Sequence, residues 1–448
     1  MKTKIIATYG PSLFHPGTLS RAMKYVDVFR INFSHAKEDD AEGYIADIRS
    51  ASKKAGKEVA ILADLPGPKM RFGKLPSAVT LRKGESVRLK FHSKDPEVIP
   101  LDYDISGYLR EGSIIAVGDG YMSLRVNGVS GGFIECTATK PGPISSRKGI
   151  NIINGNVSAA PPTPEDVRLA RFSKKNGVDF MALSFVREPR DIDQFRRKVG
   201  DVYVVSKIER SEALKNIDGI LDTSDAIMVA RGDLAFDVPI SSIPVAQLRL
   251  IGAARRHRKP VIVATQMLAS MVSNPSPTRA EVNDIATAVL SGADCIMLSE
   301  ESAVGKYPIE SIRMLHDSAT SAEAVARGSS DFKIADVGDS VAFAAAEIAE
   351  NYNTASAFVP TQTGASAIKL SALRPHCDII AMSSSDSVRR KLSLYWGVRS
   401  EAVGKYGTVD QMLALVKRSA SRRRVGRYIV LSGTPNQKGT TNTLKYIN

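Results

Sequence analysis

The sequence has little cysteine, few aromatic residues and no long apolar run, and each shortage excludes a class of protein. Its cysteines, Cys136, Cys295 and Cys377, are odd in number and widely spaced, which argues against a disulfide framework or a zinc site. Aromatic residues make up 6% of the chain, few for a surface that stacks on bases. No run of some 18 apolar residues is present, so we expect neither nucleic acid nor a membrane as partner.

Targeting and nucleotide-binding motifs are also missing. The first seven residues, Met1–Ala7, enter a strand pattern at once without the features of a signal peptide, so we expect a cytoplasmic protein. Neither a Walker A motif nor a glycine-rich dinucleotide fingerprint occurs. A nucleotide, if bound, must therefore be held by other means.

Basic residues are in excess, with 61 Lys and Arg against 47 Asp and Glu, a net charge of +14. A basic surface attracts anions, and anionic small molecules explain the excess best in the absence of a nucleic-acid motif. The clusters Arg389–Lys391 and Arg422–Arg424 are interpreted as solvated helix faces.

Short apolar runs alternate with helical patterns along much of the 448 residues, which is typical of βα units and a parallel sheet. Eight such runs predict a (β/α)8 TIM barrel, whose active site forms at the carboxyl ends of the strands. The predicted strands are Lys4–Thr8, Val26–Phe33, Val59–Asp64, Phe180–Phe185, Val202–Ile208, Ala226–Ala230, Pro260–Gln266 and Cys295–Leu298. Predicted helices include Asp39–Lys54, Pro164–Lys175, Ile243–Arg256 and Arg279–Leu290, the last with a capping box at Thr278 and Glu281.

Two regions depart from this alternation. Between residues 69 and 155, short strands and Gly-rich turns predict a small inserted β-barrel domain, placed where it could act as a lid over the barrel. Residues 327–448 predict a separate C-terminal α/β domain, so the barrel itself comprises 1–68 and 156–326. The hydroxyl-rich turn Thr361–Ser366 opens a helix there, which suits either a phosphate or an ordinary N-cap.

The stretch Val202–Leu234 contains two buried strands that end in charged residues. Lys207 and Glu209 are two apart and share a face of the first strand, while Gly232 and Asp233 end the second. Two carboxylates suit a hard divalent cation, and a lysine beside them suits a phosphate. The alternative is an ion-pair cluster that merely closes the end of the sheet.

Polar side chains lie at the ends of nearly all predicted strands. This favours a site for a phosphorylated, metal-bound substrate over a packed barrel with ordinary mixed surface residues at both ends. These residues are Arg30, Asn32, Ser34, Asp64, Ser184, Arg187, Lys207, Glu209, Gly232, Asp233, Thr265, Gln266, Ser299 and Glu301.

With these strand ends in view, the chain resembles the pyruvate kinase family over nearly its whole length. The motifs that carry the resemblance are Thr3–Ser12, Arg30–His35, Ser206–Glu209, Met228–Leu234, Ala264–Leu268 and Pro277–Glu281. The resemblance implies a barrel A domain, a lid-like B domain and a C-terminal domain, assembled as a homotetramer. It also implies phosphoenolpyruvate, ADP or ATP and pyruvate as ligands, and Mg²⁺ or Mn²⁺ as cofactor.

Roles for single residues follow from the same resemblance. Glu209 and Asp233 would hold the divalent cation. Lys207 and Arg30 would act on the transferring phosphoryl group, and Thr265 with the backbone of Gly232 would hold the carboxylate end. Thr265 and Ser299 lie near the point where the enolate is protonated. Asn32, His35, Arg71 and Lys148 match positions that reach the nucleotide.

The departures from the family pattern predict a change in cation requirement. The family positions for a monovalent cation are Asn32, Ser34, Asp64 and Leu65, but the segment Asp64–Lys69 places a lysine where the family commonly has glutamate. An ammonium group can replace potassium electrostatically, so we expect Lys69 to make K⁺ unnecessary. Glu300 stands where the family has glycine, which leaves its role open. The C-terminal domain is shorter than in the family, which leaves the identity of any anionic allosteric effector open.

Two other functions compete with phosphoryl transfer. A metal-dependent aldolase or lyase that acts on a pyruvate enolate would share the carboxylate pair but would not need Arg71, Lys148 or a lid. A catalytically silent regulator that binds a metabolite could dispense with any of Lys207, Glu209, Asp233 and Thr265. The presence of all of these residues favours the kinase.

Overall fold

A computed structural model gives the fold, and it describes residues 1–68, 70–118, 122–153, 160–326, 333–352, 354–434 and 440–448. The predicted domain boundaries at 69, 155–156 and 327 fall outside the described residues. No helix in the described ranges has both the length and the apolar character needed to cross a membrane.

The chain begins with three parallel barrel strands and the helices between them. Helix α2 carries acidic residues in its first turn and lysines in its last, and it ends at Gly56 in the left-handed region, so its two ends follow the usual charge and capping preferences. These elements are β1 (Lys4–Thr8), α1 (Pro16–Ala22), β2 (Val28–Asn32), α2 (Glu38–Ala55) and β3 (Ala60–Asp64).

An inserted β domain follows β3, as the sequence predicted. Its strands form a six-stranded sheet and a two-stranded ribbon around one apolar core. Three of these strands, β6, β10 and β11, are only three or four residues long. The strands are β4 (Val79–Leu81), β5 (Ser86–Phe91), β6 (Val98–Leu101), β7 (Ile114–Val117), β8 (Met122–Ser130), β9 (Phe133–Lys140), β10 (Gly142–Ile144) and β11 (Ile150–Ile153).

The remaining five barrel strands come after the insert, each followed by helix. The strands are β12 (Phe180–Leu183), β13 (Val204–Ile208), β14 (Ala226–Ala230), β15 (Val261–Ala264) and β16 (Cys295–Leu298). The helices are α3 (Pro164–Lys175), α4 (Pro189–Val199), α5 (Ser211–Lys215), α6 (Ile217–Thr223), α7 (Arg231–Leu234), α8 (Ile243–Arg256), α9 (Arg279–Leu290), α10 (Glu300–Ala303) and α11 (Pro308–Glu323).

The eight parallel strands close into a barrel in the order β1-β16-β15-β14-β13-β12-β3-β2, which confirms the predicted TIM barrel. Every barrel strand is buried along its length except Asn32 at the end of β2, because helices cover the outside and side chains fill the inside. The capping box at Thr278 and Glu281 is also confirmed. Since the strands are parallel, their carboxyl ends bring Arg30, Asp64, Lys207 and the α7 segment to one face.

The C-terminal domain is a five-stranded sheet in the order β19-β18-β17-β20-β21, with only β21 antiparallel. Its elements are α12 (Val337–Asn351), β17 (Ser356–Pro360), α13 (Ala365–Ala372), β18 (Asp378–Ser383), α14 (Asp386–Lys391), β19 (Val398–Ala402), α15 (Val409–Arg422), β20 (Tyr428–Ser432) and β21 (Thr443–Ile447). Single turns of 3₁₀ helix lie at Pro11–Leu13, Ser106–Tyr108, Ile240–Ser242, Ala269–Val272 and Leu392–Leu394.

This domain closes the amino-terminal end of the barrel. Leu394 packs with the apolar side chains of the barrel interior, and Cys295 at the start of β16 donates through Sγ to the Leu394 carbonyl at 3.2 Å. The Tyr203 and Tyr395 hydroxyls are hydrogen-bonded at 3.1 Å. The carboxyl end of the barrel is thereby left as the face available for a site.

Candidate active site

Lys207 is the centre of a buried polar network at the carboxyl end of the barrel. Its Nζ lies 2.8 Å from Oε1 of Glu209 and 3.1 Å from Oδ1 of Asp64, and it donates to Oγ of Ser184 at 2.8 Å. Three donor positions on the ammonium group therefore meet three oxygens from three neighbouring strands or strand ends. The three contacts hold Lys207 in one conformation, so it keeps little of the conformational entropy of an exposed lysine side chain.

Opposite charges keep this network ionised despite its burial. Burial favours the neutral form of Asp64, but Lys207 and Arg30 outweigh it and lower the pKa of that carboxyl. Burial likewise opposes the charge of Lys207, and Asp64, Glu209 and Asp233 overcome it and raise the lysine pKa. Lys207 is therefore a permanent cation at neutral pH, suited to balancing negative charge and unsuited to accepting a proton.

Arg30 is the second cation of the network and reaches it from β2. Its Nε donates to Oδ2 of Asp64 at 2.7 Å, and a terminal nitrogen donates to Oγ1 of Thr8 at 2.9 Å. Asp64 thus stands between Arg30 and Lys207, with one oxygen on each. Two cations held at a fixed spacing by one carboxylate match the needs of a phosphate group.

Glu209 and Asp233 are the candidate metal ligands. Glu209 is almost fully buried, and its Oε2 accepts from the backbone N–H of Phe185 at 2.7 Å. Burial raises the pKa of Glu209 to about 6, with Lys207 opposing the shift and the charge of Asp233 adding to it. Each carboxylate makes ionisation of the other less favourable. A divalent cation between them would therefore stabilise both charged forms.

The Asp233 carboxylate has no hydrogen-bond partner within the described ranges, although it lies close enough to Lys207 and Glu209 to shift their pKa values. A hard cation such as Mg²⁺ prefers carboxylate oxygen, and it takes only one or two such ligands from a protein together with substrate oxygens and water. The donor set therefore fits the predicted metal.

Thr265 lies beside Gly232 and is held in a strained backbone. Its φ is +70° and that of Gln266 is +55°, a region that a β-branched residue rarely adopts. Oγ1 of Thr265 accepts from the N–H of Gly232 at 2.9 Å and donates to the Ala264 carbonyl at 2.6 Å. The site thus contains a hydroxyl and a backbone N–H side by side, an arrangement suited to a carboxylate or phosphate oxygen.

Arg231 holds this turn in place through hydrogen bonds. Its guanidinium is buried and donates to the carbonyl of Thr265 at 2.6 Å and to Oδ2 of Asp284 on α9 at 2.5 Å. Arg231 therefore belongs to the scaffold beneath Thr265, and its charge is used within the protein.

Ser299 follows β16 and is positioned through its backbone. Its N–H donates to Oε2 of the buried Glu301 at 2.8 Å, while Oε1 of Glu301 accepts from the N–H of Leu268 at 3.1 Å. Glu301 thus ties the loops after β15 and β16 together, whereas Glu300, whose role the sequence left open, is exposed.

The loop after β3 is packed against the network. Oγ of Ser184 donates to the Leu65 carbonyl at 2.6 Å, and the N–H of Gly67 donates to Asp166 at 2.9 Å. A Cβ on Gly67 would lie 2.7 Å from the Phe185 ring and 2.8 Å from Cβ of Ser184. Lys69, two residues further on, lies outside the described residues.

The candidate nucleotide residues divide into two pairs. Arg71 and Lys148 lie on the entry and return of the insert, where Arg71 pairs with Gly149 and donates to the Arg147 carbonyl at 3.0 Å. Asn32 and His35 lie on the barrel, where Oδ1 of Asn32 accepts from the N–H of Ser34 at 3.1 Å. The structure brings the members of each pair together but leaves the pairs on separate domains.

Some residues that position the site were not predicted for these roles. Ser184 was marked as a strand-end residue, but its link to Lys207 was not foreseen. Thr8, Asp166, Asp284 and Phe185 were not singled out as site residues. No spacing pattern in the sequence reveals these roles, because each residue acts through a contact with an element far away in the chain. Only the polar character of Asp166 at a helix start was visible in advance.

Comparison with known proteins agrees with this geometry. Residues 1–312 match the family model described as the pyruvate kinase barrel domain, and residues 339–447 match its alpha/beta domain. The pyruvate kinase of Thermococcus litoralis is 36% identical, with 99% of this chain and 98% of the relative covered. The pyruvate kinase of Agrobacterium vitis is 37% identical over the same shares, and that of Sporosarcina psychrophila is 36% identical over 99% of this chain and 80% of its own length. The chain belongs to the pyruvate kinase family of phosphotransferases.

Proposed function

We propose that this protein transfers the phosphoryl group of phosphoenolpyruvate to ADP in glycolysis, giving pyruvate and ATP, with a divalent cation and without potassium. The observation that carries the proposal is the network in which Lys207 contacts Asp64, Glu209 and Ser184, with Arg30 on the other side of Asp64. An aldolase or lyase would not require this pair of fixed cations.

Lys207 and Arg30 are assigned to the phosphoryl group. In phosphoryl transfer, negative charge spreads over the equatorial oxygens, so fixed cations stabilise the transition state more than the bound substrate. Lys207 is held on three sides and needs no reorganisation when that charge develops. Arg30 acts in the same way, and Asp64 fixes both cations.

The carboxylate end of the substrate is assigned to Thr265 and the backbone of Gly232. The Thr265 hydroxyl exchanges its internal acceptor for a substrate oxygen, and the adjacent N–H of Gly232 adds a second donor. By the family resemblance, Thr265 and Ser299 are the hydroxyl groups expected near the point of enolate protonation. We propose that one of them, or a water that it orients, delivers the proton to C3.

Glu209 and Asp233 are assigned to the metal, with Mg²⁺ as the first candidate and Mn²⁺ as the second. When bound, the cation neutralises phosphate charge and stabilises the enolate that remains after transfer. Glu209 is oriented for this role by the Phe185 N–H and by Lys207, which leaves its remaining lone pairs for the ion. Asp233 and the substrate complete the ligand set together with water.

ADP is assigned to the cleft between the barrel and the insert, with Asn32 and His35 on one side and Arg71 and Lys148 on the other. Burial and the neighbouring Arg147 lower the pKa of Arg71, so an anion beside it would be favourable. Closing the insert over ADP would exclude water from the transferring group, which is the ordinary purpose of such a lid.

Independence from potassium is supported by the way in which the monovalent-cation positions are already used. Oδ1 of Asn32 accepts from the Ser34 N–H, the Leu65 carbonyl accepts from Ser184, and both oxygens of Asp64 are held by Arg30 and Lys207. Arg30 and Lys207 already place two positive charges against Asp64, so this carboxylate attracts a K⁺ ion less strongly. Lys69 supplies a positive charge four residues after Leu65 in the sequence.

Membership of the family supports further proposals about organisation. We propose a barrel of residues 1–68 and 156–326, a B domain of 69–155 and a C-terminal domain of 327–448, assembled as a cytoplasmic homotetramer. An anionic effector at the hydroxyl-rich turn Thr361–Ser366 belongs to the same set. There the Thr361 side chain already accepts from the N–H of Gly364 at 2.9 Å.

The first test measures pyruvate and ATP formation from phosphoenolpyruvate and Mg²⁺, with and without ADP, in buffer free of potassium and sodium. We expect equal amounts of pyruvate and ATP, and only when ADP is present. Pyruvate without ADP would favour a lyase or phosphatase. Silence that persists after potassium and Mn²⁺ are added would favour a regulator without catalysis.

Lys69→Glu tests the cation replacement directly. We expect the wild-type enzyme to change its rate less than twofold on addition of potassium, and the Lys69→Glu variant to become potassium-dependent by about tenfold or more, since the vacated charge must be restored. Lys74→Glu, which changes a nearby exposed lysine, serves as the matched control. A strong dependence on potassium in the wild type would contradict the proposal.

A further inference from the structure

The guanidinium group of Arg30 is only partly used by contacts within the protein. The side chain is 11% exposed, so its charge is largely shielded from water. Nε donates to Asp64 and Nη1 donates to Oγ1 of Thr8, whereas Nη2 has no hydrogen-bond partner among the residues that the structure describes. A guanidinium carries five N–H groups, so three remain for an anion. The direction in which these three point depends on the two partners that Arg30 already has.

Thr8, the second of these partners, is the last residue of β1 and is buried. Its hydroxyl accepts from Nη1 of Arg30 at 2.9 Å and donates to the Leu298 carbonyl, also at 2.9 Å. A hydroxyl has a single proton, so donation to Leu298 turns a lone pair toward Arg30. The Leu298 carbonyl thereby fixes the direction of the bond between Thr8 and Arg30.

Thr8 also joins Arg30 to the segment that carries Ser299. Leu298 ends β16, and Ser299 is the next residue of the chain. The Thr8 carbonyl accepts from Oγ of Ser302 at 3.0 Å, and that hydroxyl lies 3.4 Å from the Ser299 carbonyl. The hydroxyl and the carbonyl of Thr8 therefore both contact residues that flank Ser299. Since β1 lies between β2 and β16 in the barrel, Thr8 stands between the two groups that it joins.

Asp64 alone would hold Arg30 less firmly. Only one oxygen of Asp64 contacts Nε of Arg30, because the other oxygen lies 3.1 Å from Nζ of Lys207. A guanidinium held by one hydrogen bond can still turn about that contact, and the bond from Nη1 to Thr8 prevents this rotation. A misplacement of about 1 Å at a reacting group can lower the rate about a hundredfold, so the second contact matters for catalysis.

We propose that Thr8 is a positioning residue for phosphoryl transfer: its hydroxyl directs the free N–H groups of Arg30 toward the phosphoryl group and fixes Arg30 relative to the Ser299 segment. Thr8 acts through Arg30 and does not itself bind the substrate. The inference rests on the proposed function, because it assigns Thr8 to the same site.

Steady-state kinetics of Thr8→Val tests the proposal, since valine keeps the shape of threonine but lacks the hydroxyl. We expect kcat to fall about thirtyfold while the KM for phosphoenolpyruvate changes less than about threefold, because a fixed cation acts mainly on the transition state. Thr8→Ser should restore kcat to within about threefold of the wild type, since it keeps the hydroxyl. An undiminished kcat in Thr8→Val, or no recovery with serine, would overturn the proposal.

Thr3→Val is the matched control for the loss of a buried threonine. Thr3 directly precedes the same strand and is 1% exposed, but its hydroxyl has no hydrogen-bond partner in the part of the chain that the structure describes. We expect kcat of this variant to stay within about twofold of the wild type. A loss as large as that of Thr8→Val would overturn the specific role of Thr8. If Thr8→Val does not fold, Thr8→Ala removes the same hydroxyl and takes its place.

A double-mutant cycle with Arg30→Lys tests whether Thr8 acts through Arg30. Lysine keeps the positive charge but lacks the planar fork that reaches Asp64 and Thr8 together. We expect Thr8→Val to lower kcat less than about threefold once residue 30 is lysine, because the contact is already lost. Losses that simply multiply would show that Thr8 acts independently of Arg30, which contradicts the proposal.

Crystal structures of the wild type and Thr8→Val test the geometry without any measurement of turnover. We expect the Arg30 guanidinium of the variant to move by about 1 Å or more. An Arg30 that keeps its place would overturn the inference even if the wild type makes ATP from phosphoenolpyruvate and ADP. A displaced Arg30 in a protein that makes no ATP would support the positioning by Thr8 and contradict the proposed function.

Discussion

The lysine at the centre of the site is fixed as a cation by oxygens from three different strand regions. The sequence predicted that Lys207 and Glu209 share a face of one strand, since this follows from the two-residue period of a strand. It could not predict Asp64 and Ser184 as partners, because these come from β3 and the end of β12, far away in the chain. The periodicity of a strand determines which face a side chain lies on, whereas closure of the barrel determines which other side chains it contacts.

Replacement of Lys207 by methionine should separate catalysis from binding. We expect Lys207→Met to lower kcat by about a thousandfold or more with a modest change in the KM for phosphoenolpyruvate, because the lost interaction is strongest in the transition state. Steady-state kinetics with coupled detection of pyruvate measures both constants.

Lys4→Met is the control for the loss of a buried lysine from a barrel strand. Lys4 is similarly buried, but it lies at the opposite end of the barrel, where its Nζ bonds to the Val398 carbonyl. We expect this variant to retain most of its kcat. A Lys207→Met variant whose only defect is a raised KM would show that Lys207 binds the ground state.

Short loops after the strands carry the strain of the site. Thr265, Gln266 and Phe185 all have positive φ without being glycine. Thr265 is assigned to the substrate, Gln266 follows it, and the Phe185 N–H donates to Glu209, a candidate metal ligand. The eight barrel strands, and long helices such as α2 and α9, were predictable from the periodicity of apolar residues and from capping residues. The strained turns were not, because their conformation is imposed by contacts such as Arg231 with the Thr265 carbonyl.

Gly67 should be essential to the loop after β3 for steric reasons. We expect Gly67→Ala to destabilise the protein by about 2–4 kcal/mol, since it combines an unfavourable φ of +64° with overpacking against Phe185 and Ser184. The displaced Ser184 should also lower kcat through its bond to Lys207. Urea unfolding and steady-state rates measure the two effects.

Gly177 provides the matched control, because its φ is +70° and no atom lies within 4 Å of an added Cβ. Gly177→Ala should therefore cost only about 1 kcal/mol and leave kcat unchanged. Equal losses in the two variants would mean that backbone conformation, and not packing against the site, accounts for the effect of Gly67.

Charged contacts join the barrel to the C-terminal domain across the whole molecule. The interpretation of Arg389–Lys391 as a solvated helix face was wrong for Arg389, which is 5% exposed, and Arg390 is used in an interdomain ion pair. Composition showed an excess of cations, but only the fold shows which of them are paired. The interdomain pairs include Arg258 with Asp339, Arg374 with Asp294, Arg389 with Glu58 and Arg390 with Asp179.

Asp339 should make this contact sensitive to acid. Its burial favours the neutral form, but hydrogen bonds from Lys369, Arg258 and the Ala335 N–H outweigh burial and lower its pKa to about 2. A carboxyl with a depressed pKa stabilises the fold above its unfolded pKa of 3.8, and this contribution is lost as pH falls toward 2. At neutral pH the contribution is about 2 kcal/mol.

Comparison of wild type with Asp339→Asn isolates this effect from general acid unfolding. We expect the variant to be less stable by about 2 kcal/mol at pH 7, and the difference to narrow from about pH 4 down to pH 2. Urea unfolding at a series of pH values measures it. A difference that stays constant over this range would assign the effect of the substitution to packing.

The closure of the barrel floor by Leu394 has a consequence for how the chain is made. The contact between Cys295 and Leu394 spans 99 residues, so the floor of the barrel stays open until the C-terminal domain has left the ribosome. At ordinary rates of translation this delay is about 5–20 s, during which apolar strand ends are exposed. We therefore expect nascent chains to pass through a stage that benefits from chaperone protection, and chains truncated before residue 394 to remain in it.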